Sequence, residues 1–378
     1  MIRFEGVTRV FGTVKAVDGL DLTVYDRELC ILVGPSGSGK STMLRMINRL
    51  IEPSEGRITL DGNDVTTLRP ETLRRSIGYV IQSVGLFPHL TVAANIATVP
   101  ELLGWDRPRI SSRVAEMLSL VGMEPSLYRD RYPSELSGGE AQRIGVARAL
   151  ASDPPVVLMD EPFSAVDPVN RLRLQDEFLS IQRELKKTVV FVTHDVDEAI
   201  RLADRIAVVR SGRLVQYDKP EQILENPADP FVAAFVGADR ALKRLSRFLV
   251  RPFVHAAVSA TINSDLDAPR PPGGPRYLWV TEADGTLLGS LDTSLAARCG
   301  EARACVSEEN IREMAVLPDS SLKEALSRMI GTSARSLPVV DGQFRLVGEI
   351  SLSDVEEASE KQSREPRGGV PAASEGAE

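Results

Sequence analysis

Apolar residues fall along the first two thirds of the chain in short dense runs separated by stretches of helical spacing. Cys30-Ile31-Leu32-Val33 and Val156-Val157-Leu158-Met159 are unbroken, as expected of strands buried on both faces. Val114, Met117, Leu118 and Val121 instead repeat at intervals of three and four, which predicts a helix with one apolar face. From Met1 to about Gly237 this alternation predicts a layered α/β domain. Beyond Gly237 the pattern changes. Arg240, Lys243, Arg244, Arg247 and Arg251 share one face of a helix, with Leu242, Leu245, Phe248 and Leu249 opposite, and Pro252 ends it. After a Pro/Gly-rich loop at 268–275, residues 280–291 and 339–350 repeat one pattern: valine, an acidic turn, paired aliphatics, then Gly289 or Gly348. That is a tandem repeat with a period of roughly sixty residues, about the least length that buries a core. Residues 356–378 are rich in Glu, Ser, Gly and Pro and are expected to be disordered.

At 378 residues the chain is long enough for two or three domains. A formal charge of −8 disfavours general nucleic-acid binding, which needs a basic field. Three cysteines, Cys30, Cys299 and Cys305, without a Cys-x-x-Cys pair, argue against a disulfide framework or a zinc site and suit a reducing cytoplasm. The first residues lack the apolar core of a signal peptide, and no apolar stretch approaches the roughly 20 residues that cross a bilayer. A soluble chain is therefore expected, with any membrane role exercised through partners.

The run Gly34-Pro35-Ser36-Gly37-Ser38-Gly39-Lys40-Ser41-Thr42 lies between an apolar strand and the helix-prone Met43-Leu44-Arg45-Met46. Its glycines let backbone N–H groups face phosphates, Lys40 adds a positive charge, and the Ser41 hydroxyl can coordinate Mg²⁺. The run thus predicts a nucleoside triphosphate site. The strand at Val156 ends in Asp160-Glu161-Pro162, where α/β sheets place their ligands. Asp160 is the candidate to hold Mg²⁺ from the second shell, and Glu161 the candidate to polarise the attacking water. Leu136-Ser137-Gly138-Gly139-Glu140 is a second Gly-rich turn, opening the helical run Ala141-Gln142-Arg143-Ile144, a geometry suited to an anion.

In this order the three motifs resemble those of the ATP-binding-cassette (ABC) ATPases. Gln82 after the strand at Ile77, Ser164-Ala165-Val166-Asp167 as a D-loop, and His194 at the end of the strand from Val189 fit the same pattern. The resemblance implies ATP and Mg²⁺ as cofactors and a head-to-tail pair of cassettes. Ser137, Gly138, Gly139, Glu140 and Asp167 of one copy would then close on ATP held by the other. It further implies that His194 meets the γ-phosphate and that Gln82 links Mg²⁺ and water to a helical subdomain. Phe11 falls where the family stacks an aromatic on adenine, a place more usually held by tyrosine; the alternative is a plain core phenylalanine. The string from Gln82 to Val92 is similar to that of importers of quaternary amine osmoprotectants: glycine betaine, choline, carnitine. Implied partners are transmembrane permease subunits and, indirectly, an extracytoplasmic solute-binding protein, with the ATPase peripheral at the cytoplasmic face of the plasma (inner) membrane. Two other readings stand beside this: an importer ATPase for another small solute such as an amino acid, or a soluble cassette ATPase.

The repeat resembles a pair of cystathionine-β-synthase-type (CBS) modules. Its second copy is better preserved: Ser351 and Asp354 match the family's ribose contact, or else simply cap a helix start, and in the first copy Asp292 stands in place of the hydroxyl. The basic helix reads either as a connector packed on a neighbouring domain or as a surface facing anionic lipid through Arg240, Lys243, Arg244 and Arg247. The expected architecture is α/β: an ABC ATPase domain with helical subdomain at 1–237, a basic helix and linker at 238–275, a degenerate tandem CBS pair of α+β type at 276–355, and the tail.

Overall fold

The computed structural model describes residues 1–82, 85–164, 166–262, 277–292, 306–307 and 310–361. The chain forms two compact units, Met1–Ala238 and Asp239–Glu378.

The first unit is built on a six-stranded sheet. Its strands are β3 (Leu29–Val33), β6 (Ile77–Val80), β7 (Val156–Asp160), β8 (Thr188–Thr193), β9 (Arg205–Arg210) and β10 (Arg213–Asp218), in the spatial order β10-β9-β3-β8-β7-β6. All neighbours pair in parallel except β10, which turns back on β9. Alternate side chains of the central strands enter two cores, as a period of two requires. Leu29, Ile31, Val157, Met159, Val189 and Phe191 point into one, while Cys30, Leu32, Val156, Leu158, Val190 and Val192 point into the other. Both faces are thus covered, which is why these segments read as continuous apolar runs. The second core is closed by an antiparallel sheet of β1 (Ile2–Phe11), β2 (Val14–Val24), β4 (Glu55–Leu60) and β5 (Asn63–Asp64), and by the helix Lys40–Ile47. The first is closed by helices Val92–Leu102, Arg107–Leu120 and Gly138–Leu150, with Val114, Met117, Leu118 and Val121 all buried. Among the described residues no helix is long and apolar enough to cross a membrane. Cys30 is buried, which pushes its thiol pKa up; Cys299 and Cys305 lie outside the described residues.

In the second unit the repeat becomes two matching hairpins. Tyr277–Thr281 pairs with Leu287–Asp292, and Ser336–Val340 with Leu346–Ser351. Both place a valine opposite a glycine, Val280 to Gly289 and Val339 to Gly348, and both shift register at the next residue. Each glycine admits a neighbouring backbone. A Cβ on Gly289 would stand 2.4 Å from the Ser307 carbonyl oxygen, and one on Gly348 2.4 Å from that of His255.

Two expectations fail here. The basic helix covers only Arg240–Leu245, and two of its positions depart from the expected faces, Leu242 being 44% exposed and Arg244 8% exposed, while Leu245 is buried as expected. The chain leaves the helix because its next residues pair across the unit: the Phe248 carbonyl accepts from the Leu322 N–H at 2.8 Å, and the Val250 N–H donates to Ser320 at 2.8 Å. Leu245 and Val250 are buried with Trp279 and Leu337, so the segment belongs to the core of this unit. Lys243 pairs with Asp239 at 3.3 Å and Arg251 with Asp319 at 2.9 Å. Arg240, Lys243, Arg244 and Arg247 therefore do not form one helical stripe for lipid. The tail expectation is also corrected at its start. A helix runs Leu352–Lys361 and buries Val355 and Ala358; residues 362–378 and the loop at 268–275 lie outside the described residues.

Candidate functional site: a phosphate loop and an acidic strand end

The loop between β3 and the helix Lys40–Ile47 exposes Pro35, Ser36 and Gly37 and buries Ser38 and Lys40. Gly39 adopts φ 99°, and a Cβ there would lie 2.2 Å from the Ala16 carbonyl oxygen, so only glycine lets the chain enter the helix at this angle. Thr42 stands half-buried in the first turn. Lys40 Nζ folds back on its own loop, donating to the carbonyls of Gly34 at 2.7 Å and Pro35 at 2.9 Å, and to Ser38 Oγ at 3.4 Å. Burial pulls its pKa below the usual lysine value, and the nearby Glu161 and Asp160 work against that. Phosphate oxygens can replace the three loop acceptors while restoring solvation-like charge pairing to the ammonium.

Strand β7 delivers Asp160, 2% exposed, beside this loop. The Ser41 hydroxyl donates to Asp160 Oδ1 at 2.9 Å, while Arg45 Nη2 stands 3.5 Å from Oδ2. A hydroxyl and a carboxylate side by side form a hard oxygen donor set that fits Mg²⁺, and a guanidinium already sits where a cation is favoured.

Glu161 follows in the left-handed region at φ 47°, a strained conformation for a non-glycine residue. It is held there by its N–H on the Val192 carbonyl at 2.9 Å and by the Ser164 hydroxyl on its own carbonyl at 2.9 Å. The side chain is gripped from two sides. Gln82 Nε2 donates to Oε2 at 2.9 Å, and His194 Nδ1 lies 3.3 Å from Oε1. Two residues far apart in sequence thus converge on the Glu161 carboxylate.

The second Gly-rich turn opens the helix Gly138–Leu150 with a capping box. Ser137 Oγ accepts the Glu140 N–H at 3.3 Å, and Glu140 Oε2 accepts the Ser137 N–H at 2.8 Å. Tyr128 donates its hydroxyl to Glu140 Oε1 at 2.6 Å and, with Ser137, holds the Glu140 carboxyl below the usual range. Ser137 and Gly138 are exposed and Gly139 is half-buried. With its oxygen engaged as acceptor, the Ser137 hydroxyl keeps its proton to donate outward. The hydrogen bonds of Ser137 and Glu140 run to each other and to Tyr128, not to the phosphate loop. Asp167 stands exposed just ahead of the helix Pro168–Leu185; Ala165 lies outside the described residues. Phe11 ends β1 44% exposed, with the Arg9 guanidinium 4.4 Å from its ring centroid.

Sequence reasoning missed Arg45 and Tyr128. Each touches a candidate residue through a contact that no local spacing encodes. In the second unit Ser351 donates both its N–H, at 2.8 Å, and its hydroxyl to Asp354 Oδ2, and His255 Nε2 reaches the same oxygen at 2.5 Å.

The fold and these motifs define a cassette ATPase, and comparison with known proteins agrees. The family model described as ABC transporter matches residues 17–164, and that described as CBS domain matches 309–361. The osmoprotectant import ATP-binding protein OsmV of Salmonella typhimurium is 43% identical over 93% of this chain and 94% of its own. The glycine betaine/carnitine/choline transport ATP-binding protein OpuCA of Bacillus subtilis is 42% identical over 94% and 95%. Among solved structures, the dimeric cassette MJ0796 in a post-hydrolysis state bound to ADP and Pi is 32% identical, with a TM-score of 0.53 over 58% of this chain and 99% of its own. The chain belongs to the ABC transporter family of ATP-binding proteins.

Proposed function

We propose that the chain is the ATP-hydrolysing subunit of an importer for a quaternary amine osmoprotectant of the glycine betaine, carnitine or choline kind. Support for the solute class comes from relatives matched over nearly their whole length, whose names carry it. Support for hydrolysis comes above all from the Glu161 carboxylate between Gln82 and His194.

In this reading the phosphate loop binds ATP, with Lys40 transferring its hydrogen bonds from Gly34, Pro35 and Ser38 to phosphate oxygens. Ser41 directly and Asp160 from behind would hold Mg²⁺, with Gln82 as a further oxygen donor; the ion supplies charge neutralisation at the phosphates. Glu161 accepts a hydrogen bond from the attacking water and aims it, Gln82 and His194 fixing where its two oxygens stand. His194, 61% exposed, can reach a γ-phosphate. A second copy supplies Ser137, Gly138, Gly139, Glu140 and Asp167, so that a helix N-terminus and its N–H groups face the triphosphate from the other side. Phe11, buttressed by Arg9, offers one ring face to adenine. Permease subunits place the ATPase peripherally at the cytoplasmic face of the membrane.

The test is reconstitution of the chain with its permease in liposomes, measuring ATP turnover against added solute. Stimulation by glycine betaine, carnitine or choline is expected; stimulation by an amino acid alone overturns the solute class.

A further inference from the structure

The turn that opens the helix Gly138–Leu150 carries a carboxylate at the place where an anion is to be received. The N–H groups of Gly138 and Gly139 begin the helix, where no helical carbonyl can reach them, and Ser137 and Gly138 are exposed. Glu140 follows directly. An ionised side chain free to swing at that point repels the same triphosphate that the N–H groups attract.

Glu140 is not free to swing. Its Oε2 accepts the Ser137 N–H at 2.8 Å, and its Oε1 accepts the Tyr128 hydroxyl at 2.6 Å, so both oxygens are engaged within their own subunit. A capping box by itself occupies only one of them; Tyr128, twelve residues earlier, takes the other. At this length the contact is a charge-assisted O–H···O⁻ bond. Tyr128 heads the groups that hold Glu140 ionised, followed by the Ser137 N–H and hydroxyl, with the Arg131 charge adding to them and burial opposing.

Tyr128 is itself held in place. It ends the helix Pro125–Tyr128, its N–H on the Glu124 carbonyl at 3.2 Å and its carbonyl on the Arg131 N–H at 3.1 Å. The carbonyls of Arg129 and Arg131 accept the N–H groups of Ala93 at 2.9 Å and Val92 at 2.8 Å, which start the helix Val92–Leu102. The Arg131 guanidinium lies 4.5 Å from the Tyr128 ring centroid. The half-buried phenol is therefore aimed at Glu140 from a segment anchored on both sides.

We propose that Tyr128 is a positioning residue for the closing of two copies on ATP: its hydroxyl holds the Glu140 carboxylate against its own subunit, so that Ser137 and the first N–H groups of the helix meet the triphosphate unopposed. The proposal rests on the reading that a second copy supplies this turn. In this role Tyr128 acts through Glu140 and needs no contact with the nucleotide.

The experiment uses the full chain carrying Glu161→Gln, which should trap the ATP-bound dimer, and reads the dimer dissociation constant in saturating Mg-ATP by analytical ultracentrifugation. Tyr128→Phe removes one hydroxyl and keeps the ring against Arg131, so the fold is expected to stand. It should raise the dimer Kd about tenfold or more, the loss expected of a hydrogen bond to a charged group. The ATP Kd of the monomer, from equilibrium binding in dilute protein, should change less than about twofold. Glu140→Gln removes the charge that Tyr128 restrains, and in that background Tyr128→Phe should raise the dimer Kd less than about threefold. A tyrosine that serves only the packing would cost the same in both backgrounds, and that result overturns the proposal. An unchanged dimer Kd in Tyr128→Phe overturns it too, as does a loss that tracks a weakened ATP Kd. If Glu161→Gln alone forms no ATP-dependent dimer, the reading of a second copy fails instead, which separates the two claims.

Discussion

Gln82 donates its side-chain amide to Glu161 Oε2 at 2.9 Å, across 79 residues of sequence. With His194 on the other oxygen, the carboxylate has few orientations left. It also stands on a backbone in the left-handed region, so its direction is set by main chain and partners together, and lost order there should appear as lost turnover.

Glu161→Gln should therefore keep ATP affinity and lose at least about a hundredfold in kcat, since an amide cannot accept the water's proton. Without hydrolysis, ATP should accumulate a dimer visible by size-exclusion chromatography with multi-angle scattering. Near-normal turnover would remove Glu161 from the reaction.

Lys40→Ala removes the charge that now rests on three loop oxygens. ATP binding, measured by equilibrium dialysis, should weaken about tenfold to a hundredfold. The fold should stand, because the loop oxygens lose only a donor that solvent can replace. Unchanged affinity would contradict the assignment of the loop.

Gly348→Ala and Gly289→Ala would each drive a Cβ to 2.4 Å from a backbone carbonyl oxygen. Overpacking of this kind costs about 1–3 kcal/mol, to be read as a lower denaturation midpoint by the tryptophan fluorescence of Trp279, which is fully buried between these hairpins' core residues. Wild-type stability in both would mean that the neighbouring segments are not held where they lie.

Asp354 carries a pH prediction. Burial raises its pKa, but the Ser351 hydroxyl and N–H and then His255 outweigh that and hold the carboxyl below the usual range. A depressed folded pKa stabilises above the unfolded value, near pH 4, and the contribution is lost as pH falls through the folded value. Asp354→Asn should thus destabilise the second unit at neutral pH. The gap to wild type, followed by chemical denaturation, should narrow below about pH 4. A gap constant with pH would refute this.

What was legible in the chain was what is contiguous. The apolar run before Gly34 and the helix-prone residues after Ser41 are neighbours in sequence, and strand and helix flank the loop in space. The paired repeats announced their hairpins through spacing alone. Contacts between distant segments left no such trace: Arg45 meets Asp160 over a separation of 115 residues, and nothing near either marks the other. The basic stripe misled for a related reason. Its periodicity was genuine, but main-chain pairing of Phe248 and Val250 with residues 320–322 won over helix propensity, turning Leu242 outward and Arg244 inward.

The twin glycines of the second unit have a further implication. Gly289 and Gly348 sit at equivalent points of two hairpins and make room for two different stretches of main chain, one from Ser307 and one from His255. Descent from a single ancestral hairpin that was duplicated would account for this: after copying, each half kept the vacancy and recruited its own tenant. Whatever else differs between the two hairpins, a side chain at either point would have to evict the main chain lodged there.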